Sequence, residues 1–223
     1  MDVEGIAGEI DRRIRALPNQ TTEEIRRVRR EYSRQLVSWP GERVLALTYA
    51  LVERHRWVAY ELLYSHPGGF SAIELDDVER LGQGLDSWGS VDAFGRYISG
   101  PAWRKGLIPD VAVQGWALST DRWWRRAALV STVGLNLRAA GGTGDTDKTL
   151  MICTLLIADR DDMIVKALSW ALRELVFWDP DAVRRFITTN DDALAPMITR
   201  EVQNKLRTGL KHASRVSGGT GPT

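Results

Sequence analysis

One carboxylate in this chain stands where it can act together with an aromatic ring. Asp92 follows Trp88 by four residues in Trp88-Gly89-Ser90-Val91-Asp92, and on a helix that spacing puts both side chains on one face. A carboxylate so placed can stabilise positive charge growing beside it and can orient an attacking water. Two other stretches pair indole rings with cations. Trp123-Trp124-Arg125-Arg126 opens a helix behind Ser119-Thr120-Asp121, which reads as its N-cap. Cations are mildly unfavourable at a helix N-terminus, so this arginine pair predicts a partner outside the helix. A phosphate would suit, because a guanidinium grips it through two hydrogen bonds at once. Trp170 follows Lys166 by four residues and precedes Arg173-Glu174. Each feature also has a plainer reading: a solvated aspartate, a solvated arginine pair over a buried tryptophan, a core indole. Taken together, they lie on three separate helices and would bring two aromatic faces, one carboxylate and several cations to a common surface.

Other chemistries find less support. The stretch Gly141-Gly-Thr-Gly-Asp-Thr-Asp-Lys-Thr149 lacks the glycine that a phosphate-binding loop needs directly before Lys-Thr, since Asp147 holds that place. It reads as an inter-helix loop. His55, His66 and His212 are scattered and have no metal-ligand spacing with Cys153, so no metal site is expected. No serine sits in an elbow-like context. Cys153 lies in the apolar run Leu150-Met-Ile-Cys-Thr-Leu-Leu-Ile-Ala158 and is expected to be a core thiol.

Positioning such residues requires a folded scaffold, and the composition supplies one. The 223 residues, 43% hydrophobic and 26% charged, can bury a full core. A net charge of +1 means that any polyanion must be held by a local patch and not by the field of the whole chain. The single cysteine excludes an internal disulfide framework and fits a reducing cytoplasm. The first residues, Met1-Asp-Val-Glu-Gly-Ile-Ala-Gly-Glu-Ile-Asp-Arg-Arg13, lack the apolar stretch of a signal peptide, and no run reaches the length of a membrane span. A cytoplasmic location without a membrane partner is therefore expected. Nothing signals an oligomer interface, so a monomer is expected. Five of the nine tryptophans fall between Trp88 and Trp124, more than a core stretch ordinarily needs.

The apolar periodicity is helical throughout, and no segment alternates with period two. Helices are predicted over residues 5 to 16, after the capping residues Thr21 and Glu24, from Pro40, over His55 to Leu63, and from a second capping box at Ser71 and Glu74 to about Gly84. Others begin at Asp86-Ser87, at Trp123, around Cys153, at Asp161-Asp162 and at Asp179-Pro180, and the last runs from about Leu194 to Leu210. Pro101 and Pro109 bracket shorter segments. The Gly/Ser/Thr-rich end, residues 211–223, is predicted to be a disordered tail, leaving 1–210 as a single helical domain. Arg126-Ala-Ala-Leu129 and Lys166-Ala-Leu-Ser169 echo each other at a spacing of 40 residues, and Arg56-Trp-Val-Ala59 is a looser copy. That period is that of HEAT-like helical pairs, which stack into a curved solenoid with a concave face. The fold class is all-α.

These residues resemble the AlkD-type alkylpurine DNA glycosylases, the HEAT-like-repeat family of DNA alkylation repair enzymes. Trp88-Gly-Ser-Val-Asp92 looks like the family's Trp-x-x-x-Asp, and Trp123-Trp-Arg-Arg126-Ala-Ala-Leu like its Trp-x-x-Arg helix. Lys166-Ala-Leu-Ser-Trp170-Ala-Leu-Arg173-Glu174 is similar to its Lys-Ala-x-x-Trp-x-Leu-Arg-Glu signature. Order and spacing agree from about residue 22 to 210, while the first ~20 residues do not match closely.

The resemblance implies a C-shaped helical solenoid holding duplex DNA in its concave face. It implies base excision repair of alkylation damage: removal of cationic N3- or N7-alkylated purines by a monofunctional glycosylase, without drawing the base into a deep pocket. Asp92, Trp88 and Trp170 would be the catalytic set. Arg126, Arg125, Trp123, Lys166 and Arg173 would contact the DNA, and no metal or organic cofactor would be required. The alternatives are a non-catalytic repeat module binding DNA or protein, and a glycosylase specialised for bulky adducts.

Overall fold

The computed structural model describes residues 2–212, and every regular element in that span is helical. The tail expected from residue 211 falls, from 213 onward, outside the described residues. Lys211 itself folds back, its Nζ 3.3 Å from Glu201.

Helix starts follow local capping chemistry. Asp2 accepts from the Gly5 N–H (2.8 Å), so α1 (Val3–Arg15) begins earlier than its apolar pattern. Thr21 caps α2 (Thr22–Gln35) as expected. The two helices anticipated after Pro40 meet, as expected, at His55, whose non-helical backbone (φ −142°, ψ 62°) kinks the span α3 (Gly41–Ser65) and whose ring Nε2 is 2.8 Å from Asp11 Oδ1. α4 (Leu75–Gly82) begins after Glu74 and not after Ser71. Asp77 accepts from the Glu74 N–H (2.9 Å), whereas the Ser71 hydroxyl donates to the Gly68 carbonyl (2.7 Å) three residues before it. α5 (Trp88–Phe94), capped by Ser87, passes through a π-helical segment (Gly95–Ser99) into α6 (Gly100–Arg104). Then come α7 (Asp110–Ala117), α8 (Arg122–Asn136), a 3-10 turn (Arg138–Ala140), α9 (Thr146–Leu155), α10 (Asp162–Leu175), α11 (Pro180–Thr189) and α12 (Pro196–Thr208). Aspartates 121, 145, 161 and 179 cap α8, α9, α10 and α11. Because Asp145 caps, the second half of the expected Gly141–Thr149 loop is already helix.

The helices form a repeating arrangement of two layers. Along one layer α3 packs on α5, the π segment and α6 pack on α8, α8 on α10, and α10 on α12. α4, α7, α9 and α11 pack behind them, and α1 and α2 cover α3. The 40-residue echo in the sequence is the step from α8 to α10, with Ala127 and Ala167 both buried. No helix among the described residues is long and apolar enough to cross a membrane.

The tryptophan density has a packing explanation. Trp116 and Trp124 lie 5.2 Å apart between ring centroids and both contact Phe94 (6.1 and 6.0 Å). Trp103 is fully buried, its indole N–H donating to Asp110 (2.7 Å). These rings fix α5, α6 and α7 against α8. Cys153 is in the core, as expected, and burial pushes its thiol well above the usual range.

Candidate active site

What brings α5 to α8 is a backbone-to-backbone crossing. A Cβ added to Gly95 would lie 2.5 Å from Val130 Cγ1. Gly100 and Gly134 face each other so closely that a Cβ on either would sit 2.7–2.8 Å from the other's Cα. Ser99 and Ser131 hydrogen-bond across the seam at 2.6 Å. The π segment lies at this crossing, where its wider turn accommodates the close approach; such insertions recur at functional sites.

The crossing puts Asp92 within reach of Arg126, 34 residues later. Arg126 donates through Nε (3.1 Å) and Nη2 (2.8 Å) to the single oxygen Oδ1 of Asp92. Its Nη1 donates to the carbonyl oxygen of Met163 (2.5 Å), in the first turn of α10. One buried guanidinium thus ties α5, α8 and α10 together. Oδ2 of Asp92 takes no hydrogen bond from the described residues, and the side chain keeps 23% of its surface exposed. Burial pushes the Asp92 carboxyl above its ordinary range, and the opposing pull of Arg126 does not cancel that.

Trp88, one turn before Asp92, is 61% exposed, an unusual state for an indole with no packing role. Lys166 and Trp170 follow Met163 within two turns of α10. Trp170 is half-buried, its indole N–H donating to Glu174 (3.0 Å), and Lys166 is exposed and paired with Asp162 (2.5 Å). The structure therefore joins Asp92, Arg126 and the start of α10 directly, with Trp88 open beside them.

The other residues expected at the site have partners within the protein. The arginine pair at the start of α8 does have partners outside its helix, but they are protein groups. Arg125 donates to Asp159 (2.8 Å) and to the carbonyls of Ser119 and Thr120 (3.1 and 3.0 Å). Arg173 points to Ser169 and Glu201, both at 2.5 Å. Trp123 is half-buried under the Arg122 guanidinium (5.2 Å). Arg96, one turn beyond Asp92, has a buried Nε without a hydrogen-bond partner among the described residues.

A comparison with curated proteins finds no match. The family of DNA alkylation repair enzymes matches residues 17–206, a span containing Trp88, Asp92, Arg126 and Trp170. With that match across most of its length, laid over this helical repeat, the chain belongs to the DNA alkylation repair enzyme family.

Proposed function

We propose that the protein is a monofunctional DNA glycosylase that releases cationic N3- or N7-alkylated purines from duplex DNA, acting as a monomer. The observation that carries this reading is the Asp92 carboxylate, held by one oxygen and open at the other beside an exposed indole. Alkylation at N3 or N7 leaves the purine positively charged, so it departs readily and needs little protonation. When the bond from C1′ to the base nitrogen breaks, its electron pair neutralises the purine and positive charge moves to the deoxyribose. Asp92 Oδ2 stabilises that charge electrostatically and orients the water that adds to C1′. The water's surplus proton passes to the carboxylate and then to solvent, leaving an abasic site and a neutral free base.

Trp88 and Trp170 offer π faces to the cationic base or sugar, each contact contributing about 0.5–2 kcal/mol. Arg126 keeps the carboxylate ionised and aimed, and its charge favours a phosphate beside the lesion. Lys166 supplies a further phosphate contact at the start of α10. Arg125, Arg173 and Trp123 serve the DNA surface by fixing α8 and α10. No metal or organic cofactor enters this chemistry.

The test is to incubate purified protein with methylated genomic DNA and identify the bases set free. Release of 3-methyladenine, 7-methylguanine or a larger adduct by wild type, abolished by Asp92→Asn, is the expected result. Duplex binding without any base release would identify a non-catalytic repeat module instead.

A further inference from the structure

Arg96 lies one turn past Asp92, so Trp88, Asp92 and Arg96 occupy successive turns of one helical run. Its guanidinium is in an unusual state. Among the described arginines that are not exposed, Arg13, Arg26, Arg29, Arg56, Arg104, Arg125, Arg126 and Arg173 all donate to an oxygen acceptor. Arg96 alone donates to none, and its Nε is buried with no partner. A buried donor left unmade costs about 1–3 kcal/mol. The neighbouring carboxylate does not relieve it: Asp92 takes Arg126 on Oδ1, and Arg96 donates to neither of its oxygens. Its Cζ lies 5.3 Å from the ring centroid of Tyr97, the next residue. The ring face offers no oxygen acceptor, and the Nε–H stays without a partner.

We infer that Arg96 is a DNA-positioning residue whose guanidinium takes a backbone phosphate of the lesion-bearing duplex. A phosphate supplies two acceptor oxygens to a planar fork, the geometry in which an arginine is satisfied by one partner. The place also fits: an anion gripped one turn from Asp92 fixes how far along the duplex the open Oδ2 reaches, and so which sugar it meets. The inference rests on the reading that this face holds duplex DNA. It adds the residue that sets the register, a part Arg126 cannot fill alone while all three of its guanidinium nitrogens are engaged by Asp92 and Met163.

The experiment measures binding of undamaged duplex by wild type, Arg96→Ala and Arg96→Lys over a series of salt concentrations, with thermal unfolding of each. Arg96→Ala is expected to weaken binding several-fold and to reduce the slope of log affinity against log salt by about one. Arg96→Lys should regain the slope but not the full affinity, having charge without a fork. Unfolding temperatures should agree, since no hydrogen bond within the protein is lost. An unchanged slope in Arg96→Ala would overturn the assignment, and so would a marked drop in its unfolding temperature. Wild-type protein that ignores duplex at low salt would defeat the proposed function as well, whereas wild-type binding with an indifferent variant removes Arg96 alone.

Discussion

Arg126 and Arg173 each bind a carboxylate supplied by a neighbouring helix of the same layer: Asp92 of α5 in the first case, Glu201 of α12 in the second. Both guanidiniums are largely buried, and both close a seam between helices. They differ in what the carboxylate has left. Glu201 Oε2 receives the Ser169 hydroxyl (2.7 Å) and Arg173 (2.5 Å), and Oε1 faces Lys211 (3.3 Å). Burial alone would raise the Glu201 carboxyl, but Ser169, Arg173 and Lys211 outweigh it and hold the group below its ordinary range. Asp92 has one oxygen satisfied and burial prevails. Glu61 on α3 repeats the closed pattern, with Arg26 on Oε1 (3.0 Å) and Arg29 on Oε2 (3.1 Å). Of these three carboxylates, Glu61 and Glu201 are completed on both oxygens, and Asp92, completed on one, is the one with an exposed indole one turn away.

The isosteric amides separate the two roles. In Asp92→Asn the amide oxygen can still accept from Arg126 while the NH2 group points into the opening where Oδ2 was. The fold should persist, and base release should fall a hundred- to a thousandfold, the scale of losing one preorganised electrostatic contact. In Glu201→Gln one end of the amide must present N–H groups to donors. Denaturant unfolding should show a loss of about 2 kcal/mol, with base release per folded molecule unchanged. If both variants lost activity in proportion to stability, the distinction between the pairs would collapse.

Trp170→Ala carries a smaller effect. Its indole is anchored to Glu174 and half-buried, so truncation should cost about 1 kcal/mol in preference for alkylated over undamaged duplex. The measurement is a ratio of affinities. A ratio that stays fixed while both affinities fall would mean that the ring merely packs.

Parts of this arrangement were legible in the sequence because their causes are local. Asp121, Asp161 and Asp179 announce helix starts by their own side-chain chemistry, and the four-residue spacing of Trp88 and Asp92 is read directly from helix periodicity. The second capping box was misplaced by three residues, because Glu74 with Asp77 makes the reciprocal pair that Ser71 with Glu74 was expected to make. The hydrogen bonds of Asp92 with Arg126 span 34 residues and were not legible: the resemblance named both residues but set Arg126 on the DNA. The π segment has a wholly tertiary cause, the meeting of Gly95 and Gly100 with Gly134, and leaves no periodic trace. Arg125 and Arg173 looked available for DNA because the groups that occupy them, Asp159 and Glu201, lie 34 and 28 residues further along.

The finest test of the two pairs is their response to acid. Asp92 must be ionised to stabilise a cationic sugar, and its folded value is raised, so base release should decline as pH falls from a higher pH than a solvated aspartate would dictate. Arg126 pulls that value down. Removing its charge in Arg126→Gln should therefore move the acidic limb of single-turnover release to still higher pH. Glu201 is depressed, so its contribution to stability is fully present above the unfolded value and is lost only as pH falls through the lower folded one. Glu201→Gln should accordingly flatten the dependence of stability on pH at the acid end and leave the limb of base release where it was. An activity limb that moved with Glu201 and not with Arg126 would show that acid unfolds the scaffold before it protonates the site, and Asp92 would lose its claim to the pH profile.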